Sequence, residues 1–157
     1  MLTPSYWQRE SHSQDKKLAF RASWILTKVC DRFPEIIYPF LSQIVDSLNR
    51  IDNESTLRSF LRIISLSDIG QINVRQHGLL AEFCFSMLKS GFSAIAVKAY
   101  SMEILYKLVL IYPELGNELS AQINLLQVEG SAGIIARGQM ILKKLAGIPI
   151  SPKSSHL

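Results

Sequence analysis

Cysteine, histidine and tryptophan are scarce in this chain, and each scarcity removes a class of chemistry. Two cysteines, three histidines and two tryptophans occur in 157 residues. Cys30 and Cys84 both lie inside apolar helical runs, Thr27-Lys28-Val29-Cys30 and Phe83-Cys84-Phe85, which suits reduced core cysteines in a cytoplasmic protein. His12, His77 and His156 are far apart, so no paired Cys/His spacing offers a metal site. No glycine-rich turn follows a strand to cradle a phosphate, and no cofactor is expected. Long uncharged runs are missing too. The most apolar window, Ala94 to Tyr112, carries Lys98, Glu103 and Lys107, which argues for a helix buried in protein and against a membrane span. Residues 1–12 include Arg9 and Glu10 with no apolar core, unlike a signal peptide. No segment alternates with period two between hairpin turns, so strands are excluded as well. An all-helical chain is left.

What is present is apolar and modestly basic. Hydrophobic residues make up 48% and charged residues 19%, enough for a globular core without disulfides. The net charge of +4 and the pI near 9.2 speak to encounter with acidic partners, not to fold. Helical periodicity divides the chain at its prolines and glycines into about seven helices. Residues 1–14 form a polar segment in which Tyr6 and Trp7 are available to pack a short helix. Asp15 is a candidate cap for a helix running to Phe33. Leu18, Ala22, Ile25 and Val29 make its apolar stripe, and Trp24 beside them is expected in the core. Ile37, Phe40, Leu41, Ile44, Val45, Leu48 and Ile51 form the clearest one-sided helix. Gly78, inside a helix from Val74 to Leu88, suggests close approach by a neighbour. Residues 148–157 read as a disordered tail, and its end, Ser155-His156-Leu157, resembles a peroxisomal address.

The chain also repeats itself. Pro34-Glu35 and Pro113-Glu114 are matching joints 79 residues apart, and the same offset carries Arg58 onto Arg137. Four helices share an apolar–cation–small signature: Phe20-Arg21-Ala22, Leu57-Arg58-Ser59, Val97-Lys98-Ala99 and Ala136-Arg137-Gly138. Their cations are separated by 37, 40 and 39 positions, and Asp15, Asn53, Ser93 and Ser131 precede them as capping-type residues. A period of this size marks stacked helix pairs. The two alignments disagree at one point, since the proline register sets Arg21 opposite Tyr100 instead of Lys98.

These motifs resemble the HEAT/armadillo family, whose second helix commonly opens with valine-arginine followed by alanine, over residues 15–147. The resemblance implies an all-α α-solenoid of about three antiparallel helix pairs plus a terminal capping helix. It implies a docking surface and no catalytic activity. Serine replaces the family's acidic turn residue in the last two repeats, so a regular side-chain ladder is not expected there. The expected function is a non-catalytic, cytoplasmic scaffold that docks another protein on its curved face, without membrane association. The alternative is a nucleic-acid-binding relative of the DNA-alkylation-repair type, using a basic concave face. The aromatic and acidic residues that carry base excision in that type have no assignable match. The candidate partner-binding residues are Arg21, Lys28, Arg58, Arg62, Arg75 and Lys98, which are either ties between repeats or a binding surface. His77 is expected to be packed or on the surface, not catalytic.

Overall fold

The structure, a computed structural model, describes the backbone of residues 6–149 and the side chains of residues 15–149. Three sequence expectations lie outside those residues: the packing of the Tyr6 and Trp7 side chains, the disordered tail from Ile150 onward, and the terminal tripeptide. Every regular element among the described residues is helical. The α-helices are α1 (Tyr6–Arg32), α2 (Tyr38–Ser47), α3 (Glu54–Leu66), α4 (Val74–Lys89), α5 (Ile95–Ile111), α6 (Gly116–Glu129) and α7 (Ala132–Ala146). Short 3-10 turns occupy Pro34–Ile37, Leu48–Arg50, Ile69–Gln71 and Pro113–Leu115. The chain gathers into two compact units, residues 1–76 and 77–157.

The proline joints are built alike. A proline ring disfavours helical geometry in the residue before it. Phe33 accordingly leaves the helix at φ −134°, ψ 75°, and Tyr112 at φ −124°, ψ 80°. Phe33 N–H donates to the Val29 carbonyl at 2.8 Å, and Tyr112 N–H to that of Leu108 at 2.7 Å. The turn then closes with Ile36 N–H on the Phe33 carbonyl and Leu115 N–H on that of Tyr112, both at 3.1 Å. Every one of these pairs superposes under the 79-residue offset. Since α1 and α5 run unbroken into their joints, the proline register holds along both helices. Arg21 therefore corresponds to Tyr100.

In the first unit α1 packs on α3, and α2 lies beside the Pro34 turn. Its dry residues are Ile37, Leu41, Ile44, Val45, Leu48, Leu61, Ile63 and Ile64. Phe40 is the one member of the α2 stripe that is exposed. Asn53 caps α3 by accepting from Thr56 N–H at 3.0 Å. At the start of α4, Asn73 Oδ1 accepts from Gln76 N–H while Gln76 Oε1 accepts from Asn73 N–H. That reciprocal box satisfies two otherwise free helix-start donors. Gln76 also reaches Ser42 on α2, accepting from its hydroxyl at 3.1 Å.

In the second unit α7 packs on both α5 and α6. Val97, Ser101, Met102, Ile104, Leu105, Leu108 and Val109 bury α5 on several sides. Ser131 caps α7 through Ile134 N–H. Gly138 lets α6 and α7 meet: a Cβ there would lie 2.9 Å from Ile123 Cγ2 and 2.3 Å from Gln127 Nε2.

Four local expectations are corrected. Asp15 does not start a helix, because α1 already begins at Tyr6. Ser93 is not a cap; Ala94 holds that position, and the Ser93 hydroxyl turns to Met87 Sδ. Gly78 faces open space, with nothing within 4 Å of a Cβ placed on it, so no neighbour explains the glycine. The fourth correction concerns α1. Trp24 is 53% exposed, Leu18 67% and Ile25 55%, whereas Ser23 and Thr27 are buried. The helix turns its small hydroxyl residues inward, their Oγ atoms satisfied by carbonyls of Phe20 and Ser23 at 2.8 and 2.9 Å. Backbone bonding of this kind is what allows a serine and a threonine to line a dry helix contact.

Candidate docking surface

The uncovered face of α1 is ordered by its sequence. At 3.6 residues per turn, Leu18, Ala22, Ile25 and Val29 fall within a narrow strip about 60° wide. Lys17, Arg21, Lys28 and Arg32 fall in a second strip alongside it, and all four are exposed. None of them forms an ion pair among the described residues. The Lys28 ammonium instead lies 5.7 Å above the Trp24 ring, and the Arg32 guanidinium 6.0 Å from that of Phe33.

On the other side of the apolar strip the surface falls into a groove of about 520 Å³. Ala19, Ala22, Ser23 and Leu26 of α1 form one wall; Arg50, Ile51, Asn53, Thr56 and Phe60 line the rest. The lining is mostly hydrocarbon. Lys16 and Asp52 meet across it at 3.4 Å, a pair too exposed to contribute more than a few tenths of a kcal/mol. Thr56 is only 6% exposed, yet its Oγ1 has no hydrogen-bond partner among the described residues. A buried hydroxyl left in that state costs roughly 1–3 kcal/mol.

The six cations singled out from sequence divide into two groups. Arg62 on α3 donates to Asp31 on α1 at 2.7 Å. Arg75 on α4 faces Asp46 on α2 at 3.4 Å. Lys98 on α5 donates to the carbonyls of Met87 and Leu88, each at 3.1 Å, and to that of Ser90. It thus closes the C-terminal end of α4, where a cation also suits the helix dipole. Burial pulls the Lys98 ammonium below its usual range. Arg21, Lys28 and Arg58 remain exposed without ion pairs among the described residues. Only Arg21 and Lys28 share a helix face.

The second unit has its own tie, which sequence reasoning did not supply. Glu103 on α5 accepts from Arg137 on α7 at 2.6 Å, and Lys144 stands 3.8 Å from its other oxygen. The spacing of residues along one helix carries no information about what the facing helix brings to Glu103.

The remaining reactive groups are quiet. Cys84 is fully buried, and burial pushes its thiol up to about 12. The Cys30 thiol is raised by partial burial, then by Asp31. His77 is buried, its Nδ1 2.8 Å from the Tyr112 hydroxyl with the rings edge to face. It fastens the start of α4 to the end of α5. No cluster of His, Cys, Asp and Glu among the described residues is arranged to hold a metal, and no described helix is long and apolar enough to cross a membrane.

Repeated joints, and ties that link each helix to the next or the next but one, are the geometry of a helical repeat. The family model for the HEAT repeat domain matches residues 8–145. The chain belongs to the HEAT repeat family. Nothing matches it among curated proteins or among solved structures. As a HEAT chain it has the all-α, α-solenoid fold, and α4 lies along α5, joined at one end by His77 and Tyr112 and at the other by Lys98. By the proline register α1 corresponds to α5, the second helix of a pair. HEAT repeats commonly mediate protein interactions.

Proposed function

We propose that this HEAT chain is a non-catalytic scaffold that docks another protein on an exposed helix face. The observation that carries the reading is α1. Its apolar strip is uncovered although the matching strip of α5 is dry, and large exposed apolar surfaces mark interaction sites. Arg21 and Lys28 belong to that surface, whereas Arg62, Arg75 and Lys98 work as ties. A cytoplasmic location goes with two free cysteines, one of them in the core. Chemical cross-linking in native lysate, followed by purification of the chain, is expected to recover a stoichiometric protein partner. Repeated recovery of the chain alone would contradict the reading.

The four exposed cations of α1 favour a second reading, binding of nucleic acid. Phosphate contacts give affinity that falls steeply with salt and tolerates sequence. Titration of labelled duplex at two salt concentrations separates the readings. Absence of binding at low salt removes the second one. The cations border an apolar strip, which a phosphate backbone has no use for, and this is why protein docking is preferred.

A further inference from the structure

We propose that the apolar strip of α1, beside the groove, receives an amphipathic helix of a partner protein, its apolar ridge on Leu18, Ala22, Ile25 and Val29 and its acidic flank on the α1 cations. The proposal rests on the docking reading above and gives it a site and a partner chemistry.

The occupant is a helix because the molecule shows the covered form of the same surface. Under the 79-residue register Leu18, Ala22, Ile25 and Val29 become Val97, Ser101, Ile104 and Leu108. These four are 1% exposed or less. The helix against that strip is α4, whose buried Cys84 side chain lies by that of Ser101. At the counterpart of Ala19, Lys98 holds the last carbonyls of α4. Among the described residues α1 has no such helix. Ala19 is small there, and the groove stands open over it.

The sign of the partner's charge follows from the flank. Lys17, Arg21, Lys28 and Arg32 stand at i, i+4, i+11 and i+15, one continuous edge of the strip. Acidic side chains along one side of the incoming helix would meet all four at once. Such complementarity sets orientation and excludes basic competitors more than it adds affinity. A flat anionic membrane could use the cations and the strip. It would not enter the concave groove beside the strip, so the helix is preferred.

The test uses the full chain and a fluorescent 20-residue helical peptide with leucines at i, i+3, i+4 and i+7 and glutamates along one flank. Comparison probes are the same peptide with lysines on that flank, and phosphatidylserine vesicles. The glutamate peptide is expected to bind, and the lysine peptide to bind at least about tenfold more weakly. Leu18→Asp with Ile25→Asp, both at exposed positions, should weaken binding by about tenfold or more. Arg21→Glu with Lys28→Glu should invert the preference between the two peptides. No binding of the glutamate peptide, or binding that L18D/I25D leaves unchanged, would overturn the proposal. So would vesicle binding lost in L18D/I25D without peptide binding, or self-association of the chain abolished by the same pair. In those cases a lysate partner whose cross-links map to other helices would keep the docking reading alive, and only its absence would end both.

Discussion

α1 and α5 enter identical joints, carry apolar strips at the same positions, and meet opposite fates. On α5 the strip lies dry under α4. On α1 it faces outward, and the side that packs on α3 is built of Ser23 and Thr27. The lesson is that an amphipathic pattern states a demand for cover without naming the supplier. In a repeat protein each unit leans on its neighbour, so a helix with no neighbour on one side among the described residues displays its apolar strip there.

The sharpest way to break this comparison is to place the same charge on both strips. Ile104→Asp buries an unpaired carboxylate and should cost more than about 4 kcal/mol, enough to abolish cooperative urea unfolding. Ile25→Asp, at the matching position, should stay within about 0.5 kcal/mol of the parent. Equal effects would mean that the α1 strip is as covered as that of α5.

Glycines sharpen the contrast between open and closed contacts. Gly138→Ala pushes a methyl against Ile123 and Gln127, and overpacking there should outweigh the gain in helix propensity, for a net loss of about 1 kcal/mol. Gly78→Ala enters open space and should raise stability by about 0.5–1 kcal/mol. Thermal or urea melts of the two variants should move in opposite directions.

Ion pairs give smaller differences. A double-mutant cycle on Glu103 and Arg137, at 2.6 Å and partly buried, should return a coupling of up to about 1 kcal/mol. The cycle on Lys16 and Asp52, at 3.4 Å and exposed, should return a few tenths at most and vanish in high salt. A large Lys16–Asp52 coupling would mean that the groove is held shut.

At neutral pH the cysteines should separate by reactivity without a change in stability. A thiol reagent is expected to label Cys30 slowly in the folded chain, and Cys84 only after unfolding. The Cys84 thiol is raised from 9.0 to about 12 in the folded chain, so the unfolded chain loses its proton first. Stability linked to that group is intact below about pH 9 and declines as pH climbs toward 12. Rapid labelling of Cys84 would contradict its buried place where α4 meets α5.

Much of the architecture was legible because its signals are local. Proline restricts the residue before it, so Pro34 and Pro113 announced their joints. Asn53 and Ser131 have side chains that reach helix-start N–H groups within one turn, and both cap as expected. Asp15 has the same chemistry, but the helix had already begun upstream of it. Ser93 missed by one residue, because Ala94 begins the α5 turn. The site was less legible. The strip Leu18–Val29 could be read, yet its exposure depends on which helix lies opposite. Arg62 and Arg75 looked like members of a basic face until Asp31 and Asp46 came to meet them across helices. The cation row on α1 could have been found from spacing alone, since Lys17, Arg21, Lys28 and Arg32 recur at helical intervals.

Hydrogen exchange of the full chain, with and without a saturating acidic helical peptide, tests the central claim most directly. The account predicts that amides from Val97 to Leu108 are protected in both states, while those from Leu18 to Val29 exchange faster and slow markedly once the peptide is bound. Protection of the α1 amides equal to that of α5 without any peptide, or no change when it is added, would contradict it.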